Sequence, residues 1–272
     1  MSLWPVENQD GSRTIIRARN GRIDGDQYFD DVARGLILGA SDFGAYGYFE
    51  TGGAVSNNVI QPALVGGSIN VAPVGGLQMQ IASTSNEDGP GGTGIREVHI
   101  HYIDGNGGDA DEDILLSGTT PVLTSAVDIR FVQCLHMVAF GSDKSAVGNI
   151  TLSASGQVYS GIVADGIRCS SSARMVPAGK RLLVKNISAG AVSGTSARCE
   201  IQLGCTVFEG HDYTEDEILI PIDEWLLKDN SATPLLDMPY AFPAGSVVAL
   251  QVTSDKAATV SASFRGAIEA IE

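Results

Sequence analysis

This sequence predicts an all-β fold: an antiparallel β-sandwich of jelly-roll type with an extended N-terminal arm. Three observations carry that expectation. From about residue 46 the pattern turns to period two, and ten later segments alternate apolar with polar side chains. Gly, Asn, Asp or Pro stands at nearly every break between those segments. The composition is rich in Gly (33 residues) and poor in charge (18%) and aromatics (6%), which suits short strands and tight turns. With 272 residues and 43% apolar side chains, a sizeable core can be buried.

Residues 1–45 are read as the arm and 46–272 as the sandwich. "SRTIIRARNGRIDG" carries four of the 17 basic residues. "DQYFDDVARGLILGAS" predicts one brief helix with Phe29, Val32 and Leu36 on a face, weakened by Gly35 and Gly39. This stretch has too little apolar periodicity for a core of its own. It is expected to order against a neighbouring subunit through Arg13, Ile15, Ile16, Arg17, Arg19, Tyr28 and Phe29.

The predicted strands follow in order. "LQMQIAS" alternates Leu77, Met79 and Ile81, and "REVHIHYI" alternates Val98, Ile100 and Tyr102. Then come "EDILLSG", "AVDIRFVQCLHMVAF" and "GNITLSASGQVYSGIV", the last with a turn at Ser155-Gly156. "KRLLVKNIS", "ARCEIQLGCTVF", "DEILIPI", "SVVALQVTS" and "TVSASFRGAI" complete the set. "IDEWLLKD" predicts a further helical turn. An echo joins "VPAGKRLLVKNIS" to "FPAGSVVALQVTS", with "APVGGLQMQIAS" as a looser copy. In each, Pro fixes φ, Gly supplies the corner, and a half-buried strand leaves from it. A closed barrel fits the same pattern, as do two small sandwiches split near residue 165. No linker there stands out from the other loops, which favours one domain.

A formal charge of −15 repels phosphate backbones, so no direct nucleic-acid binding is expected. The N-terminus has no apolar signal core and no run reaches transmembrane length, which predicts a soluble, cytoplasmically made protein without membrane contact. Cys134, Cys169, Cys199 and Cys205 match no zinc spacing and are expected to be reduced; Cys199 and Cys205 are spaced to share a strand face.

The pair His99-x-His101 raises the question of a metal. Alternation puts Glu97, His99, His101 and Ile103 on one face. A cupin-like site needs a Glu soon after the second His and another distant His. Here Asp104 sits at the turn, Glu112 lies across a hairpin, and His136 and His211 stand in no supporting motif. The pair is therefore expected to face solvent or an interface, where it would make association sensitive to mild acid. The loop "DGNGGDADED" offers oxygen ligands, with Asp104 and Asn106 in EF-hand positions. Gly108, Asp109 and Leu115 break that register. Neither a metal (His99, His101, Asp104 and Asp109 being the candidates) nor any cofactor is expected. GxSxG, P-loop and HExxH motifs are missing, which argues against an enzyme.

Residues 77–187 carry a recognisable pattern of turns. It comprises Ser85, Asn86 and Asp88, then Gly92-Thr93-Gly94, then Ile103-Asp104, Glu112, and Gly118-Thr119-Thr120-Pro121-Val122. "GNITL" and "VPAGKRLLV" continue it. This resembles structural proteins of tailed-bacteriophage virions; the His-x-His strand and the longer acidic loop depart from them. The resemblance implies a non-enzymatic virion component assembled in the host cytoplasm, and within that class a capsid decoration or cement protein is favoured. Its partners would be the major capsid protein, or tail and neck proteins, and further copies of itself, as a trimer for example. A tail, neck or fibre component is the alternative, and a second class is a module that binds host glycan, with Trp4, Trp225 and scattered tyrosines to stack on sugar.

Overall fold

A computed structural model describes residues 2–7, 13–19, 22–23, 32–33, 35–194, 196–206, 220–228 and 236–271. The named elements are antiparallel strands plus a 3-10 turn at Ala63–Val65, and Val32 and Ala33 are helical besides. No helix among the described residues is long and apolar enough to cross a membrane.

The arm holds three strands, β1 (Ser2–Glu7), β2 (Arg13–Arg19) and β3 (Arg22–Ile23), paired in that order as a sheet of their own. Of the expected helix, Val32 and Ala33 are helical among the described residues, and most of its first turns lie outside them. Val32 is buried, but Leu36 lies past the helix and is 65% exposed, so the predicted face does not continue. Tyr28 and Phe29 lie outside the described residues.

The sandwich begins earlier than expected, with β4 (Ala40–Thr51), followed by β5 (Val55–Val59). The chain then builds β6 (Gln80–Ser83), β7 (Ile95–Asp104), β8 (Asp109–Leu115), β9 (Val122–Leu123), β10 (Ile129–Phe140), β11 (Ile150–Ala154) and β12 (Gln157–Ile162). It returns through β13 (Arg174–Met175), β14 (Lys180–Val192), β15 (Arg198–Cys205), β16 (Ile220–Lys228), β17 (Leu236–Phe242), β18 (Val247–Ser254) and β19 (Ala258–Ala270). "IDEWLLKD" is thus strand, not helix: it lies in β16 and pairs with β15 from Ile220 to Lys228. Buried Leu227 follows exposed Leu226, and an apolar residue on the outer face hides the period of two.

One sheet runs β17-β14-β19-β4, and another runs β13-β18-β15-β16 with β5 also on β18. β15 occupies one side of β18 along its length, so β5 and β13 share the other side, running in the same direction. They act as one interrupted strand. Counting β5 and β13 together as the second of eight positions, the sheets read 1-8-3-6 and 2-7-4-5. That is the double Greek key of a jelly roll.

The interruption is a second sandwich. Sheets β10-β7-β8 and β12-β11-β6-β9 enclose a core of their own that includes Met79, Ile81, Ile100, Leu135, Ile150 and Leu152. The jelly-roll core is centred on Phe264, Leu182, Val184, Ile201, Leu203 and Leu250. Each such buried apolar side chain contributes about 1.5–3 kcal/mol. A third cluster, in which Val59, Ile103, Phe131, Met175 and Val247 meet, joins the two.

The insert leaves and re-enters the jelly roll at one point. Ile60 N donates to Leu250 O (2.9 Å), Ser172 N to Ile60 O (3.0 Å), and Tyr48 N to Ser170 O (3.2 Å). Gly47 lies under this crossing, where a Cβ would overlap the Ile60 carbonyl. Buried Gln133 of β10 clamps the two units: its Nε2 donates to Met175 O (2.6 Å) and its Oε1 accepts from Met175 N (3.1 Å).

Local sequence explains the details. In β14 the buried residues are Leu182 and Val184, then Ile187, Ala189 and Ala191. The phase changes by one because a bulge lies between Val184 and Asn186, which keeps all five on the core. The Pro-Ala-Gly echo is a pair of matched corners, with Gly179 and Gly245 at positive φ (69° and 78°). The corners also meet: Val176 N donates to Ser246 O (2.9 Å) and Gly245 N to Val176 O (2.8 Å).

Candidate functional site

The outer face of the β10-β7-β8 sheet gathers three of the chain's four histidines: His99, His101 and His136. Inward-facing Val98, Ile100 and Tyr102 anchor β7 in the insert core, which turns both imidazoles of the His-x-His pair outward. Across the hairpin, His99 Nδ1 meets Asp113 Oδ1 at 2.7 Å and His101 Nε2 meets Asp109 Oδ1 at 2.9 Å. On the other flank His136 lies opposite His99, with ring centroids 4.8 Å apart. Cys134 Sγ is 3.9 Å from His136 Nδ1. Sequence spacing did not bring His136 to this face; only the β10–β7 register does. His211 lies outside the described residues.

Each imidazole of the pair therefore has its own aspartate, and among the described residues no group of three or more His, Cys, Asp or Glu is placed to hold a metal ion. Asp104 does not join them. Its Oδ1 accepts from Asn106 N and Gly108 N, both at 2.8 Å, and so closes the hairpin turn. Glu112 faces inward, and its Oε2 accepts from Ala126 N (2.9 Å). Exposed Asp109, Asp111 and Asp113 line β8, an edge strand, where charge discourages unwanted edge pairing.

The electrostatics follow from these contacts. The hydrogen bond from His101 holds the Asp109 carboxyl below its usual range, against the opposing effect of burial. Partial burial, and then His99 alongside, push the His136 imidazole below its ordinary value of 6.5. Both signs make the fold weaker in acid. A histidine depressed in the folded state withdraws stability as pH falls below about 6.5, and Asp109 adds a further loss near and below about pH 4.

The turn pattern picked out in the sequence assembles around one buried carboxylate. Asp88 is fully buried. Its Oδ1 accepts from Ile95 N (2.9 Å) and Val147 N (3.0 Å). Its Oδ2 accepts from Ser83 Oγ (2.6 Å) and Gly148 N (2.8 Å). Gly118 N donates to the Asp88 carbonyl (2.7 Å), and Asn86 Oδ1 accepts from Thr119 Oγ1 (2.8 Å). Ser83, Asn86, Gly118 and Thr119 are thus parts of one brace between loops, and their chemistry is structural.

All four cysteines are free thiols. Cys199 and Cys205 both lie buried in β15, too far apart along one strand to be bridged. A hydrogen bond shared with Cys169, and then burial, hold the Cys134 thiol well above the ordinary range, and burial pushes Cys205 up to about 12. Of the expected interface residues, Arg13, Ile15, Ile16, Arg17 and Arg19 fall on β2, where the backbone is described and the side chains are not.

No family model matches the chain, and no curated protein does. Some solved structures show faint likeness. One is a structure of the infectious bursal disease virus Gt strain, at 11% identity, covering 84% of this chain and 71% of that chain with a TM-score of 0.16. Another is a structure of the Gx strain of that virus, at 8% identity, covering 85% and 76% with a TM-score of 0.15. Scores this low carry no argument about the chain.

Proposed function

We propose that this chain is a non-enzymatic structural component of a tailed-bacteriophage virion, a capsid decoration protein that binds and stabilises the major-capsid lattice. The reading is supported by the run of turn residues that resembles such proteins, which gathers into a hydrogen-bonded brace on buried Asp88 that holds loops together. A jelly roll with a second sandwich built into one strand supports it as a stiff, two-unit block; jelly rolls serve in viral capsids among other roles. The arm forms a sheet that, among the described residues, pairs with no other sheet of its own chain, which suits lacing onto a neighbour in a closed homo-oligomer, a trimer for example.

Removal of residues 1–38 tests the arm. The cut respects β4, because Gly39 O accepts from Ala270 N (3.2 Å) and β4 opens at Ala40. The truncated protein is expected to stay folded, with its melting temperature lowered by no more than about 8 °C, since the cut removes one buried apolar side chain among the described residues, Val32. Its binding to capsids lacking the protein should fall at least about tenfold. Unfolding of the truncated chain, or unchanged binding, would contradict the assignment of the arm.

A second reading, a tail or fibre component that binds host glycan, is favoured by one feature. A cleft of about 210 Å³ is lined by Ser68, Ile69, Asn70, Val71, Gln157 and Tyr159, a neutral set with one aromatic ring. Glycan-array binding that is lost in Tyr159→Ala would support it over the capsid reading.

A further inference from the structure

The register across the insert lines up four side-chain positions in one row. Asp113 stands opposite His99, His99 opposite His136, and His136 opposite Arg168. Arg168 belongs to the segment that carries the chain back from β12 to the jelly roll. That segment is held on β10 by two backbone hydrogen bonds flanking the row, Met137 N to Ile167 O (2.9 Å) and Cys169 N to Leu135 O (2.7 Å). Directly beyond it, Ser170 O accepts from Tyr48 N (3.2 Å) and Ser172 N donates to Ile60 O (3.0 Å). The row therefore sits on the connection between the two sandwiches.

We propose that the row Asp113–His99–His136–Arg168 is an acid-responsive latch: with His136 neutral it keeps residues 167–169 docked on β10, and protonation of His136 releases them, loosening the insert from the jelly roll. The charges facing His136 set the direction. From β7 come His99 and, one pair along, His101; from β8, Asp113, with Asp109 and Asp111 nearer to His101. Glu97 lies on β7 beyond Val98, opposite Leu115. From β10 comes Cys134, and from the return segment Arg168 and Cys169. Once His136 carries a proton, it and Arg168 are two cations at directly paired positions, and the one carboxylate of the row, Asp113, stands two strands away from His136. Like charges on directly opposed strand positions drive the strands apart. The partial burial that disfavours the charged form of His136 acts in the same sense. His136 is exposed enough to exchange protons with solvent, and imidazole is the side chain suited to this pH range. The latch stands or falls independently of the capsid reading.

Amide hydrogen exchange on the full-length protein at pH 7.5 and 5.5, corrected for the intrinsic effect of pH, tests the proposal. In the wild type, protection of the Met137 and Cys169 amides is expected to drop at least about tenfold at pH 5.5, while the jelly-roll strand β19 keeps its protection. His136→Gln should hold both amides at their pH 7.5 protection, which also shows that the variant is folded. Arg168→Gln should show a smaller acid loss than the wild type. Equal wild-type protection at the two pH values would overturn the latch. So would an undiminished acid loss in either variant.

Discussion

Replacing Asp88 with alanine is expected to destabilise the protein by about 4 kcal/mol or more, the largest effect of any single polar substitution in the insert. The carboxylate accepts four hydrogen bonds in a fully buried site: three from backbone N–H groups at Ile95, Val147 and Gly148, and one from the Ser83 hydroxyl. Alanine leaves those donors without partners, and each unmet buried donor costs about 1–3 kcal/mol, less where water enters. Asp88→Asn should recover only part of the loss, because the amide N–H₂ must face a donor on one side. Urea unfolding followed by tryptophan fluorescence and circular dichroism measures both variants. A cost under about 1 kcal/mol for Asp88→Ala would show that the three loops are held together by something else.

Gly47→Val is expected to cost about 3 kcal/mol, and to do so at the junction of the two sandwiches. Gly47 faces inward on β4, and a side chain there would run into the Ile60 carbonyl and the Ser172 backbone. Both neighbours are main chain, fixed by Ile60 N to Leu250 O (2.9 Å) and Ser172 Oγ to Leu250 O (2.8 Å), so neither can rotate away. The expected result is loss of exchange protection at Tyr48 and Ser172 together with the lower midpoint. Gly52→Ala is the control, since nothing lies within 4 Å of a Cβ there. If Gly47→Val matched that control, the crossing would be looser than described.

Much of this fold was legible as alternation. Where they lie among the described residues, the segments with period two fall on observed strands, because most have one face in a core and one outside, which is the condition that alternation reports; β18, buried on both faces, is the exception. The Pro-Ala-Gly echo marked two corners for a local reason, the fixed φ of Pro and the positive φ of Gly179 and Gly245. Where other forces chose the residues, the pattern failed. β4 shows little apolar alternation because its inward positions include Ala45 and Gly47, the latter kept small by the chain crossing above it. β16 reads as helical because Leu226 is apolar yet 68% exposed.

The split of one jelly-roll strand into β5 and β13 left no local trace, since its halves are joined only by pairing with β18. The site was half legible for a similar reason. Alternation put His99 and His101 on one face, as observed, but their partners Asp113, Asp109 and His136 are selected by strand register. Asp104 and Asp109, grouped in the sequence only as weak metal candidates beside the His pair, separate because one closes the turn and the other pairs with His101. Asp88 was noticed as one member of a pattern of turns; its burial, which makes it the centre of the brace, is a property of the folded loops alone.

If the chain is a building part of a phage particle, the most direct test is the number of copies in purified virions, counted by quantitative mass spectrometry against a major-capsid standard. A decoration role predicts on the order of hundreds of copies, in fixed ratio to the capsid lattice, as closed symmetric assembly requires. A dozen or fewer would place the protein at a vertex, neck or tail, and its absence from purified particles would contradict the account.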